Sequence, residues 1–258
     1  ILLLKLLVEK GELPKEQFKK ELKAQDIHFN EDIISSVENV LSLNFFVEND
    51  RKKFGSKEIV LLKDGIYRFN DELQQSLLDE YFKQYFTTLL ECAFIKNEKY
   101  RKDSPFTLYE KYSRREVCRL LNWDKNEEGT LNGGRPKNGD FPIFVNYHKV
   151  EDDSETKYMD EFLSNETFRW CTTKNRYLHS NEILALVQNA EKTNAQKKKK
   201  KDNGEGKDFY YLGTCKANPE TATPDKVVEK GKEYPVVTIE VVLEQPIQYD
   251  IYHYLVEE

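Results

Sequence analysis

FPIFVNYHK, residues 141–149, alternates Ile143, Val145 and Tyr147 with Phe144, Asn146 and His148. A period of two is the signature of a strand, and it sets the reading of everything around it. FRWCTTKNRY (168–177) alternates too, with Phe168 and Trp170 opposed to Arg169 and Cys171, and with Thr172, Lys174 and Arg176 on one side. DFYYLGTC (208–215) and YPVVTIEVVL (234–243) add two more strands, the last an almost continuous apolar run. Two helices break the pattern. In SRREVCRLLNW (113–123), Ser113 and Glu116 have the spacing of a capping box, with Val117, Leu120 and Leu121 turned inward. After Ser180, Ile183, Leu184, Leu186, Val187 and Ala190 follow a helical period. Several strands with only two helices predict a small curved sheet or open barrel.

Residues before this region read mainly as helix. Pro14 opens one segment with Phe18 and Leu22 on one side, and Asn30 caps another carrying Ile33, Ile34, Val37, Val40 and Leu41. EIVLLKDGIYRF (58–69) sets Asp64-Gly65 between two apolar runs, a hairpin signal because that turn needs positive φ. From Asp71, an apolar stripe from Leu73 to Phe94 predicts one long helix, well buried along one side. Three helices and a hairpin are the order of a winged helix. Ile1 to Ser104 holds 17 basic and 19 acidic residues, however, and no basic stripe for gripping phosphates, so packing between larger domains is the preferred role.

The formal net charge is −6, so any nucleic-acid contact must come from a local patch. With 15 Tyr and 15 Phe, the composition is that of a folded chain. The first residue is Ile1 and the single methionine is Met159, which predicts a piece of a longer polypeptide. ILLLKLLV at the start is too short for a membrane span and lacks the flanks of a signal peptide. Cys92, Cys118, Cys171 and Cys215 are scattered without a CxxC pair, which predicts reduced, packed thiols and a cytoplasmic setting.

No catalytic pattern emerges. His28, His148, His179 and His253 have no metal-ligand spacing, and neither a GxSxG elbow nor a glycine-rich lysine loop is present. Glu155-Thr156-Lys157 has the acid-x-lysine spacing of some metal nucleases, but it lies in the acidic loop EDDSETKYMDE (151–161) and is too short a pattern to carry a site. The expectation is a binding segment that is no enzyme by itself and needs no metal or cofactor.

YSRREVCRLLNW (112–123), PIFVNYHK (142–149), DEFLSNETFRW (160–170) and DNGEGKDFYYLG (202–213) occur in that order. Together they resemble the C-terminal domain of SauUSI-like type IV restriction enzymes, which place a phospholipase D-type nuclease and a superfamily 2 helicase ahead of it. The resemblance implies an SRA-like curved β-barrel that reads methylated or hydroxymethylated cytosine in double-stranded DNA. It also implies upstream helicase and nuclease domains in the same chain, with ATP and Mg used only there. The expected class is α+β: a helical, winged-helix-like coupler with a hairpin over residues 1–104, then an SRA-like barrel with flanking helices over residues 105–258. One departure stands out: where the family has an apolar strand before the DNGEG block, the chain reads AQKKKKK (195–201), the composition of a solvated loop or a phosphate-binding tail.

A modified-cytosine reader that extrudes its base must return the lost stacking and pairing. Aromatic platforms do this at about 1–3 kcal/mol per base. Tyr147 and Trp170 are the first candidates, with Phe168, Tyr158, Tyr210 and Tyr211 in reserve; filling the barrel core is the competing role for each. Asp160 and Glu161 suit the N4 amino group of cytosine. Between Phe168 and Lys216 stand 11 basic and 5 acidic residues, a local excess of +6 in an acidic chain. Arg135, Lys137, His148, Lys149, Lys174 and Arg176 are the candidates for phosphate contact.

Overall fold

In a computed structural model of the chain, the structure describes residues 1–97, 100, 104–131, 133–146, 160–188, 193–198 and 208–256. The chain forms two compact units. The first comprises residues 1–107 and 122–126, the second residues 108–121 and 127–258.

The first unit contains α1 (Leu2–Lys10), β1 (Glu12–Pro14), α2 (Lys15–Ala24), α3 (Glu31–Leu41), α4 (Glu48–Phe54), β2 (Val60–Lys63), β3 (Ile66–Phe69), α5 (Asp71–Ser76) and α6 (Glu80–Lys96). Its antiparallel sheet has the order β1-β3-β2. Asp64 and Gly65 take φ of 51° and 75°, the positive values that the hairpin between β2 and β3 requires. Asn30 caps α3, its side chain accepting from Ile33 N at 2.9 Å. Leu3, Leu7, Leu13, Phe18, Leu22, Ile34, Tyr67 and Phe69 form the core, within which Tyr67 donates its hydroxyl to Glu38. The unit differs from three helices and a hairpin by a third strand, β1, by two further helices, α1 and α4, and by the division of the last expected helix into α5 and α6.

The expected single long helix from Asp71 is two. Asp79 starts α6 by accepting from Phe82 N at 2.8 Å, and a short carboxylate at that position favours a new helix start over continuation. The apolar stripe is also wider than the core it meets. Leu73, Leu77, Phe86 and Leu90 pack inward, while Leu78, Tyr81, Tyr85 and Leu89 are exposed.

The second unit contains β4 (Lys111–Tyr112), α7 (Arg114–Leu120), a 3-10 turn (Glu128–Thr130), β5 (Phe141–Asn146), β6 (Glu161–Phe162), β7 (Thr167–Cys171), α8 (Asn181–Gln188), β8 (Thr193–Lys198), β9 (Phe209–Glu229), β10 (Lys232–Leu243) and α9 (Tyr249–Val256). It is an α+β unit built on one curled, half-barrel sheet of order β5-β8-β9-β10-β7-β6, with β4 beside the start of β9. Among the described residues only β5 and β8 run parallel. The β9–β10 hairpin turns at Lys230-Gly231, both at positive φ (50° and 74°), and its ladder shifts register between Thr238 and Glu240. Such a shift bends and twists a strand pair.

The main core lies against this sheet: Phe141, Ile143, Val145, Phe168, Trp170, Leu186, Leu212, Val237, Ile239 and Val241, closed by Leu255 of α9. β5 and β7 lose their expected alternation, because their second faces are covered as well. Phe144 is buried against Phe209, with ring centroids 5.0 Å apart. Cys171 enters a second small core with Val227 and Val236. The expectation of a loop or tail over residues 195–201 is corrected in part: residues 193–198 form β8, paired with β5 on one side and β9 on the other.

Candidate nucleic-acid interface

Four elements meet at one end of the sheet. β5 and β8 run parallel and end together, Asn146 opposite Lys198. β9 begins at the same place, with Tyr210 opposite Lys197 on one side and Lys111 of β4 on the other. β4 leads directly into α7, whose start is fixed by the capping box: Ser113 N donates to Glu116 Oε2 at 2.8 Å, and Glu116 N donates to Ser113 Oγ at 3.1 Å.

Cations sit on aromatic rings at this end. Arg114, the first residue of α7, carries its guanidinium carbon 4.7 Å from the Phe209 centroid and 5.5 Å from that of Phe144. Lys111 Nζ lies 4.7 Å from the Tyr210 centroid. Tyr210 is half-buried and meets Tyr254 of α9 edge to face, 6.1 Å between centroids. Charges within about 6 Å of a ring face are attracted to it. Neither Lys111 nor Arg114 stands out in the sequence, where Arg114 reads simply as the start of a helix.

The aromatic candidates divide sharply. Trp170 and Phe168 are core residues, 2% and 4% exposed. Trp170 packs edge-on against Phe141, centroids 5.9 Å apart, and its ring also abuts Gly133 and Gly134. Trp170 offers no open surface to a base in this structure, and its burial fits the competing role named for it, filling the core. Its indole N–H is buried without a hydrogen-bond partner among the described residues. Tyr211 is buried at 6%, and burial pushes its phenol upward. Tyr210 is the aromatic candidate that reaches the surface among the described residues. Tyr147, Tyr158, His148 and Lys149 lie outside the described residues.

The acidic candidates serve the sheet. Asp160 Oδ1 accepts from Cys171 N at 2.8 Å, capping the end of β7. Glu161 is exposed on β6 and pairs with Arg169 at 3.4 Å.

The basic candidates already have partners. Arg135 and Lys137 converge on Glu127, at 2.7 and 2.6 Å. Lys174 pairs with Glu229 at the far end of β9, and Arg176 with Glu182 at 2.8 Å. The structure therefore gathers Arg135 with Lys137, but leaves Lys174 and Arg176 toward the opposite end of the hairpin from Lys111 and Arg114.

Among the described residues no group of three or more His, Cys, Asp or Glu side chains is placed to hold a metal ion, and no helix is long and apolar enough to cross a membrane. Burial pushes the Cys118 thiol up to about 11 and that of Cys215 higher still, the opposite of an activated nucleophile.

No curated protein matches the chain. Among solved structures, it is similar to the DNA recognition domain of the cytosine modification-dependent restriction endonuclease LpnPI. That match has a TM-score of 0.35 and 10% identity, covering 51% of this chain and 67% of that one. It is similar as well to the DNA modification-dependent restriction endonuclease AspBHI, with a TM-score of 0.32 and 11% identity over 56% of this chain and 77% of that one. Residues 1–102 match the family model of a domain of unknown function, DUF8090. Residues 106–255, more than half of the chain and nearly all of the second unit, match that of another, and the chain thus belongs to the family of the domain of unknown function DUF3427.

Proposed function

We propose that the second unit recognises duplex DNA carrying 5-methyl- or 5-hydroxymethylcytosine, extruding the modified nucleotide, as the sensor of a modification-dependent restriction endonuclease. The observation that supports this most is where the four sequence blocks fall. Far apart in the chain, they occupy β4–α7, β5, β6–β7 and the start of β9 in a single sheet. Three of the four contribute to the end where cations rest on rings. Tyr210 is a half-buried ring there, and Tyr147 follows the last residue of β5 directly in the sequence. Tyr147 keeps its place as an aromatic platform of the reading, and Tyr210 takes that of Trp170. Extrusion costs a few kcal/mol, and stacking on two rings at about 1–3 kcal/mol each offsets it.

In this reading cleavage and ATP hydrolysis belong to helicase and nuclease domains upstream in the same chain, in the cytoplasm, and the first unit couples them to the reader. A second reading, an interaction module without base readout, is favoured by one feature of the first unit. α6 carries Tyr81, Tyr85 and Ile95 at 85%, 71% and 66% exposure, a stripe suited to a partner rather than to water.

The separating experiment is equilibrium binding of the 258-residue chain to matched duplexes bearing cytosine, 5-methylcytosine or 5-hydroxymethylcytosine. Preference for a modified duplex, lost in Tyr210→Ala while the variant stays folded, is the expected result. Equal affinity for all three at several salt concentrations would sink the proposal and leave the interaction reading.

A further inference from the structure

We propose that Arg114 is a DNA-phosphate ligand, held ready over Phe209 and Phe144 with Lys111 beside it on β4. The inference rests on the DNA reading above and adds the residue through which the backbone is gripped.

The argument begins with charge accounting. In the second unit, the half-buried cations Arg115, Arg135, Lys137, Arg169, Lys174 and Arg176 each lie within ion-pair distance of a carboxylate. Arg114 is also half-buried, yet its side chain makes no ion pair and no hydrogen bond among the described residues, and its Nε is buried without a partner. Glu128, whose charge acts on it, is paired with Arg115 at 2.7 Å. Glu110, exposed and four residues before it, and Asp208, exposed and next to Phe209, do not pair with it either. Burying a charge without a counterion is costly, and burial accordingly lowers the pKa of Arg114.

What Arg114 does have is two ring faces. Contact with Phe209 and Phe144 stabilises the cation but uses none of its N–H donors, which form a planar fork. A phosphate matches that fork with two parallel hydrogen bonds, which is why arginine rather than lysine recurs at such sites. Phe144 and Phe209 are 3% and 1% exposed and packed against each other, so the seat is rigid. The rest of the sheet end agrees in sign. Lys111 rests on Tyr210, and the register brings Lys197 of β8 opposite Tyr210 and Lys198 opposite Asn146. A strand backbone thus delivers two more lysine positions to the same end.

The test uses the full 258-residue chain and matched duplexes with and without 5-methylcytosine, titrated across a salt series. Arg114→Ala is expected to weaken binding to both duplexes about equally, by about tenfold. It should also flatten the dependence of log affinity on log salt by about one unit, because one fewer counterion is released. Arg114→Lys keeps the slope and recovers part of the affinity. Lys226→Ala, an exposed lysine paired with Glu233 on the hairpin, changes neither. Thermal unfolding of each variant checks the fold, and Arg114→Gln takes the place of alanine if alanine does not fold. A folded Arg114→Ala or Arg114→Gln protein with wild-type affinity and slope overturns the inference, whatever the duplex preference. A wild-type chain that binds both duplexes alike, yet loses its slope in Arg114→Ala, overturns the modified-base reading and leaves the phosphate contact standing. A chain that binds neither duplex overturns both.

Discussion

Phe141 lies so close to the backbone of Gly134 that a Cβ on the glycine would meet Phe141 Cε1 at 2.4 Å and the Trp170 ring at 3.1 Å. Both rings belong to the main core of the second unit, and Gly134 bridges to Ile143 of β5. The pair Gly133-Gly134, which in sequence looks like an ordinary turn, is therefore a packing requirement where the chain enters β5. Gly134→Ala is expected to lower stability by about 1–3 kcal/mol, the range for overpacking a filled core. Denaturant unfolding checks it. Phe141→Leu in the same chain, which removes the struck ring atom, should make the alanine less costly than in the wild type. Strict additivity of the two changes would rule out this contact as the cause.

The thiols give a second test. Cys92 is exposed on α6, while Cys118, Cys171 and Cys215 are buried. A thiol reagent should label Cys92 alone in the native chain and all four cysteines after unfolding. The shift on Cys118 has a sign that can be followed. Its folded pKa is raised by burial from an ordinary 9.0 to about 11, so its contribution to stability is complete below pH 9. That contribution is lost as pH rises from about 9 through 11, because the unfolded thiol releases its proton first. Cys118→Ser should flatten the fall in stability over that interval, and an unchanged profile would assign the fall to other groups.

At the register shift of the long hairpin, Glu240 N donates to the side-chain hydroxyl of Thr221 at 2.9 Å. A hydroxyl thus stands where the ladder has no carbonyl to offer. Thr221→Val keeps the shape and removes the acceptor of a part-buried donor, so it should cost about 1 kcal/mol, the net worth of an ordinary hydrogen bond. Amide exchange at Glu240 should accelerate while exchange at Val241, one position along, changes little. Equal protection in both proteins would mean that another acceptor serves Glu240.

The hairpin also shows what the sequence hides. β10 is legible from Tyr234 to Leu243 because both of its faces are apolar, whereas the second half of β9 carries Pro219, Pro224 and many polar residues and reads as loop. It is a strand because β10 pairs with it, and that pairing is invisible to any local window. β8 is the stronger case: Thr193–Lys198 has no apolar period, and its conformation is set by main-chain pairing to β5 and β9. Features encoded by neighbours in the chain, such as the Ser113–Glu116 box and the Asp64-Gly65 turn, were readable in full. The contact of Arg114 with Phe144 and Phe209 joins residues from three distant stretches, so nothing near Arg114 announces it.

Trp170 decides between a core and a contact role for the most conspicuous aromatic of the sheet. Its ring is 2% exposed, packed on Phe141 and both glycines, and opposite Ile239 in the β7–β10 ladder. Removing it entirely leaves a cavity among these side chains, so Trp170→Ala should cost about 3–5 kcal/mol. Any loss of DNA binding in that variant then reports unfolding rather than a missing stacking partner. Trp170→Phe is the informative change. It keeps most of the apolar volume and deletes an indole N–H that is buried without a hydrogen-bond partner among the described residues, so the polar group lost is one that stabilises nothing. The phenylalanine variant should stay within about 1.5 kcal/mol of wild type, the range for tolerated hydrophobic swaps, and bind DNA as the wild type does. If Trp170→Phe instead folds normally but loses its preference between modified and plain duplexes, the indole reaches the base and the assignment of Trp170 to packing is wrong.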